Sequence, residues 1–155
     1  MTNGQTGRRR VVDHIVDRLA AHGGVRHIFG VDGANIEDLY DAAHFRADLT
    51  AVLAKHEFSA ATMADGYRRS GAPLGGGGRH VRGAVPSISL PHWGESLTSR
   101  VPVLALVGQP PTAMDGRGSF QDTSGLGGSL DAEALFSRCR CTAGGWWIRP
   151  GSRLR

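Results

Sequence analysis

Val12, Ile15, Val16 and Leu19 recur at the i, i+3, i+4, i+7 spacing that lays apolar side chains along one face of a helix. Gly23 and Gly24 follow, and glycine ends helices readily because it takes the left-handed conformation without a Cβ penalty. Residues 25–29 (Val-Arg-His-Ile-Phe) then form a short apolar run stopped by Gly30 and Gly33, which predicts a strand. The helical spacing returns at Ile36, Leu39, Tyr40 and Ala43. A second run, residues 49–54, predicts another strand, and residues 56–69 predict a helix with Ala60, Ala61 and Ala64 on one face. A further strand is predicted over 101–107, ending in Gly108, and the start of a helix over 131–136. Helices and strands alternate, and the strands are too uniformly apolar to face water. Such strands sit between helical layers, so the expected fold is α/β: a three-layer sandwich with a parallel sheet and helices on both faces. The strands at 25–29, 49–54 and 101–107 are expected to be neighbours in that sheet.

Two stretches break this grammar. Residues 75–93 and 138–155 show neither period, and four consecutive glycines, 75–78, carry a heavy entropic cost in any ordered element. All 14 acidic residues lie outside these stretches, while Trp93, Trp146, Trp147, Cys139 and Cys141 lie inside them. A single globular domain seldom sorts its residues so. Frame slips in a GC-rich coding sequence account for the sorting, because a shifted frame yields Gly, Arg, Pro, Cys and Trp; a Gly-rich loop with a basic tail is the alternative. The expected organisation is a flexible basic tail over 1–10, one domain over 11–137 with an irregular segment at 75–93, and an irregular basic tail over 138–155.

The chain's 155 residues suit one domain of ordinary size. Its net charge of +4 raises nucleic-acid binding as a function, but the distribution argues against it. Of 18 basic residues only Lys55 is a lysine, the bias a GC-rich gene produces, and no aromatic residues alternate with the arginines to make a stacking surface. Cys139 and Cys141 form a lone pair with no second Cys or His pair at zinc spacing, so no metal site is expected. No apolar run approaches a membrane span, and a cytoplasmic location is expected.

Three fragments carry chemistry. Phe29-Gly30-Val31-Asp32-Gly33 stands after a strand and before a helix. His56-Glu57 follows the second strand and leads through small residues into Ala64-Asp65-Gly66-Tyr67. The third strand, 101–107, leads to Gly118-Ser119-Phe120-Gln121. In order and spacing these fragments resemble the pyrimidine-binding domain of thiamine-diphosphate enzymes of the acetolactate synthase and benzoylformate decarboxylase type. That family usually has proline where Asp32 stands.

The resemblance implies thiamine diphosphate as cofactor, with Gly30, Asp32, Gly33 and Glu57 lining its pyrimidine site and Glu57 catalytic. In the family this glutamate hydrogen-bonds the aminopyrimidine ring and so promotes loss of the thiazolium C2 proton. His56 and Gln121 are placed on the substrate side. The helix over residues 57–67 is placed at an interface with a second copy or a full-length homologue. The bare residues allow blander roles. A glutamate opening a helix satisfies the positive helix end. His56 is equally a helix-start residue, Gln121 a loop glutamine, and the alanines ordinary core. The family holds Mg²⁺ and the diphosphate through a Gly-Asp-Gly motif and an asparagine in a later domain, and no Gly-Asp-Gly occurs here. The expectation is a thiamine-diphosphate-binding fragment without activity of its own. The alternative is a non-catalytic module or decayed gene product that docks on a full-length homologue.

Overall fold

A computed structural model describes residues 9–21, 24–71 and 90–138. The first eight residues of the expected basic tail, most of the expected irregular segment (75–89) and residues 139–155 lie outside the described residues.

Helix α1 spans Val11–Ala21. Its first turn is capped by Asp13, whose carboxylate accepts from the Arg10 amide at 3.1 Å and from the Arg10 guanidinium. Arg10 also reaches across to Asp41 at 2.8 Å, so the end of the expected solvated tail is tied to two helices. The helix is followed by Gly24 at φ +60°, and the Val25 amide donates back to the Leu19 carbonyl at 2.9 Å. Only glycine takes this left-handed corner cheaply, so it is the chain's turn into the sheet.

Strands β1 (His27–Gly30) and β2 (Thr50–Leu53) pair in parallel, His27 opposite Thr50 and Gly30 opposite Leu53. Helix α2 (Glu37–His44) makes the crossover between them. Side chains alternate across the sheet as the pleat requires. Ile28 packs with Val16, Val25, Leu39, Ala42, Ala43 and Leu49, the layer formed with α1 and α2. Phe29 packs on the other face with Ala54, Ala60, Ala61 and Ala64, the layer formed with α3 (Glu57–Arg69). Helix α4 (Leu90–Thr98) begins inside the span expected to be irregular, and α5 (Ala132–Arg138) brings Phe136 onto the α3 layer. The fold is therefore α/β with helices on both faces of a parallel sheet.

The structure differs from the sequence expectation at the third strand. Among the described residues the hydrogen-bonded sheet has two strands, and 101–107 joins no ladder. Its side chains nevertheless alternate as a strand's do: Val103 and Ala105 pack against the layer that holds Phe29, and Leu106 against the layer that holds Ile28. Apolar alternation determines which layer each side chain enters, while ladder bonds need the backbones themselves in register, which the pattern does not encode.

Candidate functional site

In a parallel sheet all strands point the same way, so the loops after them collect at one edge, where α/β folds place their ligands. Here that edge gathers the loop after β1, the start of α3 after β2, and the residues after 107. They meet closely. A Cβ on Gly108 would stand 2.6 Å from the carbonyl oxygen of Asn35, just beyond β1. The Asn35 side-chain amide donates to Gln121 Oε1 at 3.1 Å. Gln109 donates to the Thr123 hydroxyl, folding the following loop back onto the edge.

Gly30 is the last residue of β1, buried, and its carbonyl accepts from the Ala54 amide at 2.7 Å. Asp32 and Gly33 are exposed in the loop beyond. Asp32 Oδ1 accepts from the Gly33 amide at 2.9 Å, and the Gly33 carbonyl accepts from the amides of Ile36 and Glu37 at 2.8 and 2.9 Å. The loop is thus a self-bonded turn that starts α2. Glu57 opens α3 and is half-buried, and among the described residues no hydrogen bond or ion pair engages its carboxylate. It stands at the positive end of a helix of 13 residues.

His56 is the N-cap of that helix. Its backbone is extended, and Nδ1 accepts from the Phe58 amide at 3.1 Å. That bond uses one ring nitrogen for the helix end and leaves Nε2 to carry the proton in the neutral ring. Gln121 is exposed with φ +62° and its oxygen is held by Asn35. Beside it, Asp122 accepts from the amides of Gly116 at 2.8 Å and Ser124 at 3.0 Å. These bonds, the one from Ser124 first, hold its carboxyl below the usual range.

The alanine face of α3 is accounted for within the chain. Ala60, Ala61 and Ala64 are at most 1% exposed and pack on Phe29, Ala54, Val103 and Phe136. Small residues let the helix approach its own sheet, so these three side chains do not form an intersubunit surface. The outward positions of α3 include Phe58 and Met63, 43% and 41% exposed.

A shallow cavity of about 780 Å³, lined by Asp32, Asp38, Asp41, Tyr40, His44 and Thr50 among others, lies against α2 and does not include Glu57. Burial first, and the charge of Asp32 second, push the Tyr40 hydroxyl up to about 12. Sequence reasoning missed one buried acid. Asp65 is 3% exposed, accepts from the Ser96 hydroxyl at 2.5 Å and pairs with Arg69. Its signal was available: Asp65 stands four residues after Ala61 on the apolar face, where an acid needs partners.

Residues 9–127 match the family of the thiamine pyrophosphate enzyme N-terminal TPP binding domain. The chain is similar to the probable acetolactate synthase large subunit of Methanococcus aeolicus, 36% identical over 107 residues, covering 66% of this chain and 17% of that protein. The counterpart in Methanocaldococcus jannaschii is 35% identical over 117 residues, with 73% and 19% covered. Acetolactate synthase isozyme 3 large subunit of Escherichia coli is 30% identical over 126 residues, with 79% and 20% covered. This chain thus spans about a fifth of the length of these relatives. Among solved structures, the thiamine diphosphate-dependent 4-hydroxybenzoylformate decarboxylase of Rhodococcus jostii superposes with a TM-score of 0.62 at 20% identity, over 80% of this chain and 22% of that one. That likeness is one of fold.

Proposed function

The chain belongs to the family of N-terminal TPP binding domains of thiamine pyrophosphate enzymes, and from that premise we propose that it forms the pyrimidine side of an acetolactate-synthase-like cofactor site with Glu57 as the activating carboxylate. The observation that carries this reading is a half-buried carboxylate at the head of α3, on the strand-end edge, with no partner engaged among the described residues. A carboxylate so placed has its acceptor capacity available to a heterocycle and is held in orientation by the helix it opens.

The residues fit half of the cofactor. Glu57 suits the aminopyrimidine, with Gly30, Asp32 and Gly33 forming the adjoining wall. Among the described residues no cluster of His, Cys, Asp and Glu is arranged to hold a metal ion. In this reading Mg²⁺ and the diphosphate belong to a further domain, as the family resemblance implies. When bound, thiamine diphosphate supplies an electron sink for decarboxylation or condensation of 2-keto acids. Glu57 holds a proton at the pyrimidine ring, and the apolar layer of Phe29, Ala54 and Ala61 behind it keeps water from that side. On the substrate side, His56 retains only Nε2 and Gln121 only its amide nitrogen, because the other polar atom of each is engaged. A second copy or a full-length homologue meets the outward side of α3.

The test grafts residues 9–127 in place of the matching domain of a full-length acetolactate synthase and follows proton–deuterium exchange at the cofactor's C2 by NMR. Glu57→Gln keeps the size and removes the anionic acceptor, so exchange slows by about 10²–10⁴-fold, the range typical of general acid–base groups. An unchanged rate overturns the assignment. The unmodified chain, titrated calorimetrically with thiamine diphosphate and Mg²⁺, shows no tight binding and turns over no pyruvate; micromolar binding contradicts that. A second reading, a non-catalytic module docking on a homologue, draws on the exposed Phe58 and Met63 of α3. It is favoured if the chain associates with the full-length enzyme but the graft never exchanges C2.

A further inference from the structure

Asp65 does more than cap a buried contact: we propose that it is a positioning residue that sets where α3, and hence Glu57, stands relative to the loop after 101–107. This rests on the reading of Glu57 as the functional carboxylate. Asp65 lies two turns along α3 from Glu57 and is 3% exposed. The Ser96 hydroxyl of α4, also 3% exposed, donates to its Oδ2 at 2.5 Å. Arg69 pairs with its other oxygen and reaches Glu95 of α4 at 3.3 Å. Ser96 is bonded on its backbone side as well, because its carbonyl accepts from the Val101 amide at 2.8 Å. Val101 opens the extended segment whose far end, Gly108, presses on Asn35, which in turn holds Gln121. A continuous set of bonded or tightly packed groups therefore runs from the helix that carries Glu57 to the loop that carries Gln121.

The packing explains why such a clamp is needed. The inner face of α3 is alanine at 60, 61 and 64. Short side chains let the helix approach closely but offer few knobs to interlock, so packing alone specifies axial register weakly. A hydrogen bond does specify it, because its energy falls steeply with distance and angle. An α-helix is stiff along its axis, so a slide at Asp65 arrives at Glu57 nearly undiminished, and a misplacement of about 1 Å can cost about 10²-fold in rate. A buried carboxylate is otherwise an expensive way to join two helices, since apolar residues of similar volume often do so more stably.

The experiment measures register directly, without cofactor, on the full chain with Cys139 and Cys141 replaced by serine. Spin labels at Met63→Cys on α3 and Met114→Cys beyond Gly108 report the distance across the clamp by pulsed electron resonance. Labels at Arg18→Cys and Glu37→Cys report α1 against α2 as the control pair. Ser96→Ala turns the single narrow 63–114 distance into a broad or displaced distribution and leaves the 18–37 distance unchanged. Ser96→Thr, which keeps the hydroxyl, preserves the narrow distance, and Asp65→Ala reproduces the effect of Ser96→Ala if it folds. The proposal is overturned if Ser96→Ala leaves the 63–114 distance narrow, if the control pair loosens equally, or if Ser96→Thr loosens as much as Ser96→Ala. A normal clamp combined with unaltered C2 exchange in Glu57→Gln sinks the functional reading alone, so the two failures are told apart.

Discussion

Replacing glycine by alanine should have opposite signs at two positions of this chain, and the structure says which. At Gly108 the new methyl would stand 2.6 Å from the Asn35 carbonyl oxygen and 2.9 Å from its carbonyl carbon. Ordinary contact begins near 3.4 Å, and both obstacles are backbone atoms that cannot rotate away. Asn35 cannot yield cheaply, because it sits in the turn closed by the bonds from Ile36 and Glu37 to the Gly33 carbonyl. Overpacking of this kind costs about 1–3 kcal/mol. At Gly66, inside α3 and exposed, a methyl meets nothing within 4 Å. There the change removes the entropic handicap of a helical glycine, a gain of roughly 0.8–1 kcal/mol. Thermal unfolding followed by circular dichroism, with urea midpoints as a second measure, reads both. Each kcal/mol moves the midpoint by roughly 2–4 °C in a chain of 155 residues. Gly108→Ala should melt below wild type and Gly66→Ala above it. A Gly108→Ala protein as stable as wild type would refute the contact between the third segment and the β1 loop. A destabilised Gly66→Ala would refute the open helix surface.

Val16, 1% exposed in the α1–α2 layer, loses two methyls on Val16→Ala; with the cavity left behind this costs about 2 kcal/mol, measurable by urea unfolding. His56→Ala removes the N-cap acceptor of α3 and costs about 0.5–1 kcal/mol, with hydrogen exchange of the Phe58 amide as its local readout. The Asp13 carboxyl is held below its ordinary 3.8, chiefly by its hydrogen bonds from Arg10. A depressed carboxyl stabilises the fold above its unfolded value and loses that contribution as pH falls through its folded value; the stability gap between wild type and Asp13→Asn should therefore close in acid, and a gap that persists there contradicts the pairing. Tyr40, pushed up to about 12 chiefly by burial, does the opposite. Its contribution is complete below the ordinary 10 and is lost as pH rises through the folded value, so phenolate absorbance in a Tyr67→Phe variant should appear well above 10.

Much of this protein is local, and what is local was legible in the sequence. Apolar spacing located α1, α2 and α3 within a residue or two, because a helix buries one stripe and the stripe is written at 3.6-residue intervals. The alternation of elements implied helices on both faces of a parallel sheet. The motif around Glu57 placed that residue at the head of a helix, because strand end and helix start adjoin in sequence. Tertiary structure decided what depends on distant partners. Ser96 and Asp65 are 31 positions apart, and Asn35 and Gln121 are 86 apart. No periodicity relates such pairs, so Asp65 was read only as a motif letter, and the bond that joins Gln121 to Asn35 was not legible. The alanines of α3 and residues 101–107 make the same point. Side-chain chemistry said that each would be buried, but what covers them, and whether a backbone ladder forms, depends on the placement of segments far away along the chain.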